Sequence, residues 1–265
     1  MNRSARSRLG LAAVMAIAVM ACAPAVAPSA SPASVSPATP AHWTYEGAEG
    51  PAHWGELDPA YVTCADGTAQ SPIDITNPTP ADLADPAFAY QAGVAQVVNN
   101  GHSIQANAAA GGTMSVDGVA YQLAQVHFHA PSEHTFDGSR TPVEVHFVHR
   151  AADGRIAVVA VFLVQGDTTN AAWDPYVKAL GVARGAEQAA KLDWPAMLPA
   201  SRLTIRYSGS LTTPPCTEAV HWLLMKDPVQ LSADQLRAFT AAYEGNDRPV
   251  QPLNHRPVEI DTTGR

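Results

Sequence analysis

Two runs near the middle of the chain alternate apolar and polar residues with a period of two. Residues 125–129 read Q-V-H-F-H, and residues 143–149 read V-E-V-H-F-V-H. Successive side chains of a β-strand point to opposite faces. The first run therefore places Gln125, His127 and His129 on one face and Val126 and Phe128 on the other. The second places Glu144, His146 and Val148 on one face, with Val145, Phe147 and His149 behind them. Pro131, Asp137-Gly138 and Pro142 lie between the runs and predict a loop or hairpin return.

Similar short runs occupy residues 94–99, 103–106, 113–116, 120–129, 143–149, 156–164, 203–207 and 220–225, with Gly, Asn and Asp between them. Many short strands separated by turn signals predict a mostly β (α+β) fold. Its core is one large, mainly antiparallel twisted sheet in a single domain, with short peripheral helices. Helices are expected at 170–180, where Pro175 intrudes, and at 186–192. Ser232-Ala-Asp-Gln235 has the form of a capping box and opens a third, with Leu236, Phe239 and Tyr243 on one stripe.

If the two histidine runs are neighbouring strands, His146 converges on His127 and His129. Three imidazoles with an open fourth position are the donor set of a catalytic zinc. A metal-bound histidine usually passes its other N–H to an oxygen acceptor, and Gln125 and Glu144 stand where they could accept.

Composition narrows the setting. The chain has 265 residues and a formal charge of −8, and the basic residues Arg3, Arg6 and Arg8 precede an apolar run at 11–21. That run is short for a bilayer span and suits a secretory signal peptide over residues 1–22. Without those three arginines the remainder carries −11. An acidic protein with no basic run argues against a nucleic-acid partner. Residues 23–40 are nearly all Ala, Pro, Ser and Val and read as a linker. Of three cysteines, Cys22 lies at the leader boundary. Cys64 and Cys216 remain for an oxidising compartment, where a disulfide between them is expected over two free buried thiols.

Beyond the histidines, the chain carries S-E-H at 132–134, Q-S-P-I-D-I at 70–75 and N-N-G-H at 99–102. It also carries G-S-L-T-T-P-P at 209–215 and R-P-V-Q-P-L at 248–253. With Q-V-H-F-H and E-V-H-F-V-H, these segments resemble the α-class carbonic anhydrases across residues 43–260. The resemblance makes residues 41–263 a catalytic domain that hydrates CO2 to bicarbonate and a proton. It implies zinc on His127, His129 and His146, with Gln125 and Glu144 behind them. Zinc on three neutral imidazoles brings the pKa of bound water to about 7, carbonic anhydrase being the standard case, and the hydroxide attacks CO2.

The resemblance also implies that Thr212 and Glu133 orient that hydroxide and that Thr213 touches bicarbonate. Val148, Val158, Leu211, Val220 and Trp222 would form the apolar wall for CO2. His102 matches the proton-shuttle position, an imidazole being able to titrate near neutral pH, and Asn100, Gln105 and Gln125 would line a polar, water-holding side. Cis bonds are implied at Ser71-Pro72 and Pro214-Pro215. His134 and His149 read as structural histidines. Ala130-Pro131 departs from the Trp-Gly of the animal enzymes.

Two other readings compete. His127-x-His129-x-x-x-Glu133 fits part of a cupin metal motif, although the flanking glycines are misplaced. A carbonic anhydrase fold that has lost catalysis and become a binding module is the other, although such relatives lose a zinc histidine. Cys22 also divides two outcomes. V-M-A-C at 19–22 resembles a bacterial lipobox, giving a lipid anchor held off the membrane by the linker. Cleavage at an Ala-x-Ala site instead gives a soluble periplasmic enzyme. Both a monomer and a homodimer are compatible with the sequence.

Overall fold

The computed structural model describes residues 41–108 and 111–263. The expected leader (1–22), linker (23–40) and lipidation site at Cys22 lie outside the described residues. No described helix is long and apolar enough to cross a membrane.

A 13-stranded sheet runs through the protein. At its centre Val119–His129 pairs antiparallel with Val143–Ala151, which pairs antiparallel with Ile156–Gln165. The alternation expected at residues 125–129 and 143–149 is what these strands show. Val126, Phe128, Val145 and Phe147 enter one core together with Val159, Trp173, Tyr176 and Phe239. Val148 and Val158 enter a second core with Tyr207, Val220 and Trp222. His127, His129 and His146 sit on this second side, away from the helices that cover the first.

One irregularity decides which side they take. Tyr121 and Leu123 point into the first core, and strict alternation would send Gln125, His127 and His129 after them. The register with Val143–Ala151 shifts between Leu123 and Gln125. A β-bulge adds one residue to one strand of a pair. Here Ala124 is that residue, and beyond it Val126 and Phe128 take over the core face while the histidines turn away.

The sheet is mixed, not simply antiparallel. Ile156–Gln165 pairs parallel with Glu218–Met225 and Val229–Leu231, and Glu259–Asp261 pairs parallel with Thr79–Ala81. Parallel neighbours need a long crossover, and residues 166–217 supply it. The two expected helices in that crossover differ from expectation. The first is short, Asp174–Ala179, with Pro175 in its first turn, where its missing N–H costs nothing. Residues 186–192 form a strand, Glu187–Leu192, on the Gly93–Asn99 edge. The alanine-rich composition favours helix only weakly. The sheet edge offers backbone partners, and Ala190 and Leu192 alternate into the core. The third helix, Ala233–Ala242, forms as expected, with Ser232 and Gln235 in a reciprocal capping box.

The peptide bonds Ser71-Pro72 and Pro214-Pro215 are cis, as the resemblance implied, and so is Ala130-Pro131, which was not foreseen. Cys64 and Cys216 are joined.

His149 is fully buried in the first core, its ring between the Tyr90 hydroxyl and the Ala157 carbonyl. Burial pushes its pKa down from 6.5 to about 4. Unfolded chains then take up a proton that the native protein refuses. The stability this gives is complete above pH 6.5 and is lost as the pH falls through about 4. It is worth about 3 kcal/mol. Denaturant unfolding at pH 7 and pH 4 should therefore show the stability gap between wild type and His149→Gln narrowing by roughly that amount. A gap independent of pH would contradict it.

Candidate metal centre

His127 and His146 are direct cross-strand partners, and His129 lies opposite Glu144. The three rings meet with centroids 5.0, 5.2 and 4.6 Å apart. Each offers a nitrogen, and these atoms all lie within 4.8 Å of one another.

The second nitrogen of each ring has an oxygen acceptor. His127 Nδ1 donates to Gln125 Oε1 at 2.9 Å. His129 Nδ1 donates to the Asn246 carbonyl at 2.6 Å. His146 Nε2 donates to Glu144 Oε1 at 2.7 Å. Each bond fixes the tautomer and leaves a lone pair on the other nitrogen: Nε2 of His127, Nε2 of His129 and Nδ1 of His146. Burial pushes the pKa of all three rings down, holding them neutral. His129 Nε2 is buried and has no hydrogen-bond partner among the described residues. A buried lone pair of this kind is costly without a partner. These donors, neutral and preoriented, fit a zinc ion.

Glu144 anchors the outer layer. It is fully buried and also accepts from His134 Nδ1 at 2.7 Å and from the His134 backbone N–H at 2.8 Å. Burial alone would raise its pKa; the His134 and His146 imidazoles outweigh this and hold the carboxyl well below its usual range. Beyond it, His134 Nε2 accepts from the Tyr207 hydroxyl, which accepts in turn from Ser71, each bond 2.7 Å long. One chain of hydrogen bonds thus braces His146 against the second core.

Beside the histidines lies a cavity of about 130 Å³. Gln125, His127, His146, Val148, Arg150, Val158, Leu211, Thr212, Thr213 and Trp222 form its walls. It is apolar on one side and hydroxyl-bearing on the other, and is of a size for a small molecule.

Comparison with known proteins decides the family. A model described as eukaryotic-type carbonic anhydrase matches residues 49–262. The chain belongs to the α-class carbonic anhydrases. It is 40% identical to a carbonic anhydrase of Pectobacterium atrosepticum over 229 residues, 85% of this chain and 93% of the relative. It is 43% identical to one of Klebsiella pneumoniae over 227 residues, 82% of this chain and 90% of that one. Among solved structures, the α-carbonic anhydrase of Thermovibrio ammonificans in complex with the inhibitor sulfanilamide is similar at a TM-score of 0.79. The two are 43% identical, over 83% of this chain and 100% of that one. The cupin reading of His127, His129 and Glu133 is therefore set aside.

Of the other residues singled out in the sequence, Val148, Val158, Leu211, Thr212, Thr213 and Trp222 line this carbonic anhydrase cavity and Glu133, Val220 and His102 do not. Glu133 is fully buried, with Oε2 3.5 Å from His129 Nε2 and Oε1 accepting from the Arg248 N–H at 2.9 Å. Burial pushes its pKa up to about 7, against the pull of His146, the Arg248 N–H and the Thr212 hydroxyl. Val220 is buried in the second core but does not line the cavity, unlike the other four wall residues. His102 stacks on Trp43, with ring centroids 3.7 Å apart, and lies outside the cavity walls. Burial, His42 and Arg184 lower its pKa.

Sequence reasoning missed two residues of this carbonic anhydrase site. Arg150 lines the cavity; it shares the parity of His146 and Val148, so the strand pattern already carried that signal. Asn246 orients His129 from a distant loop, and nothing local in the chain announces it.

Proposed function

We propose that the enzyme catalyses reversible hydration of CO2 to bicarbonate and a proton with one zinc ion held by His127, His129 and His146. The observation that carries this is the buried Nε2 of His129, unpartnered among the described residues, facing two further imidazole lone pairs beside a small cavity with one apolar wall. When bound, zinc makes a coordinated water acidic enough to supply a nucleophile near neutral pH.

The chain's own residues do the rest. Gln125, Glu144 and the Asn246 carbonyl keep the three rings aimed, because each accepts one ring's N–H and so fixes the tautomer that leaves the other nitrogen's lone pair free, while burial keeps the rings neutral. Val148, Val158, Leu211 and Trp222 give apolar CO2 a dry surface beside the histidines, with Val220 supporting that wall from behind. Glu133 Oε2 has no other hydrogen-bond partner among the described residues, and the Thr212 hydroxyl acts on its carboxyl, which makes it the acceptor for that hydroxyl. A hydroxyl that donates there must accept on its other side, which sets the orientation of the attacking oxygen. Thr213 stands at the same wall and offers a hydroxyl to bicarbonate.

His102 carries the released proton outward. Its lowered pKa favours handing the proton on over keeping it. The disulfide fits an exported enzyme. We place the mature protein in the periplasm, with Cys22 as its lipid attachment and residues 23–40 as the spacer.

The deciding experiment is CO2 hydration by the purified protein before and after dialysis against a zinc chelator. Activity should vanish with the metal and return with added zinc. Chelator-resistant hydration would overturn the metal assignment, and no hydration in the zinc-loaded protein would leave a binding module.

A further inference from the structure

His102 sits at the tip of a tight turn. The Asn100 side chain closes that turn by accepting from the His102 and Ser103 N–H groups, each at 2.9 Å. Gly101 adopts a φ of +92°, which favours glycine. A self-closed turn fixes its own shape but not its position on the protein. The paired strands on either side of it, the stacking of His102 on Trp43 and two side-chain tethers supply that position. Ser103 Oγ donates to the Phe128 carbonyl at 2.6 Å. Asn246 Nδ2 donates to the same carbonyl and to the His102 carbonyl, both at 3.0 Å.

Phe128 lies between His127 and His129. The turn is therefore tied to the backbone that separates two metal-binding histidines. Asn246 is 2% exposed and every polar group it owns on this side is in use. Its Oδ1 accepts from the Ala130 N–H at 2.9 Å, and its backbone carbonyl accepts from His129 Nδ1 at 2.6 Å. The carbonyl belongs to the peptide and survives any substitution. The amide does not.

We propose that the Asn246 side-chain amide is a positioning residue for proton export, which fixes the His102 turn against the ligand-bearing strand separately from the grip of the Asn246 carbonyl on His129. The inference rests on the shuttle role given to His102 above. Proton transfer through an imidazole depends steeply on its distance and orientation. A turn released from the strand lets His102 spend much of its time outside the geometry for transfer, while His129 keeps its acceptor.

The experiment compares His102→Ala, Asn246→Ala and the double variant of the zinc-loaded enzyme in weak buffer. Asn246→Ala should lower kcat about tenfold, with a much smaller loss in kcat/KM. Added imidazole should restore kcat, because it replaces the carrier rather than the site. The double variant should be no slower than His102→Ala alone, within about twofold, since both changes act through one residue. Equal losses in kcat and kcat/KM, no rescue by imidazole, or additive losses in the double variant would each overturn the proposal. Should Asn246→Ala fail to fold, Asn246→Ser and Ser103→Ala, which loosen the same two tethers one at a time, carry the same test. An undiminished His102→Ala enzyme would remove the shuttle reading and the inference with it. A slowed His102→Ala beside an unaffected Asn246→Ala would remove the inference alone.

Discussion

Replacing His129 by alanine should strip zinc from the purified protein and take CO2 hydration to background. The loss should be on the order of 10⁴-fold or more, because enzymic accelerations begin near 10⁶-fold. The variant leaves two imidazoles where a catalytic zinc takes three protein ligands. It also leaves the Asn246 carbonyl, buried beside the site, without the N–H it accepts at 2.6 Å. His127→Ala and His146→Ala should behave alike, although the second also takes a donor from Glu144. Metal content and activity must fall together. His53, a half-exposed residue far along the chain from the strands, provides the control, and His53→Ala should retain both. Full hydration by any of the three ligand variants would show that the metal is held elsewhere.

Removing the Cys64–Cys216 disulfide should cost the second largest share. The bond closes a separation of 152 residues. The chain-entropy account puts the stabilisation for such a loop at about 5 kcal/mol as an upper value. With a realised cost of about 3 kcal/mol, the melting temperature should fall by roughly 10 °C for a chain of this size. The bond has local partners as well. Arg248 Nη2 donates to the Cys64 carbonyl and Gln70 Nε2 to the Cys216 carbonyl, both at 3.1 Å. The Cys216 N–H closes the turn behind Thr212 by donating to the Thr213 carbonyl at 2.8 Å. Thermal unfolding of the oxidised protein, the reduced protein and the Cys64→Ser/Cys216→Ser variant should give one high and two similar low transitions. A transition unmoved by reduction would show that the crosslink adds nothing to stability.

The parts of the site that obey a local period were legible in the sequence. His127, His129 and His146 follow from strand parity, and so do Gln125 and Glu144 as their acceptors. The capping box at Ser232 and Gln235 is equally local. What stayed hidden is what the tertiary fold imposes. Residues 186–192 look helical until the edge of Gly93–Asn99 is there to pair with them. Glu133 reads by itself as an exposed loop carboxylate, and in the fold it is buried, bonded from residues 245–248 and set against His129. There the Gly245 N–H donates to the Ala130 carbonyl and the Arg248 N–H to Glu133. Asn246 touches His129 across 117 residues of chain and His102 across 144, which no short pattern can announce. The parallel pairing of Ile156–Gln165 with Glu218–Met225 likewise depends on where a long crossover happens to return.

Ala124 gives the three-histidine site a phase. Upstream of it the strand keeps its odd-numbered residues in the core, as Tyr121 and Leu123 show; downstream the even-numbered Val126 and Phe128 are inside. A strand without that bulge, counting Ala124 in its alternation, would hold every histidine and every hydrophobe in unchanged order, yet present each to the wrong side. The residue with the least chemistry in the strand thus acts like a frame marker in a message. It contributes no donor, acceptor or charge from its side chain, and the meaning of every letter after it depends on its being passed over.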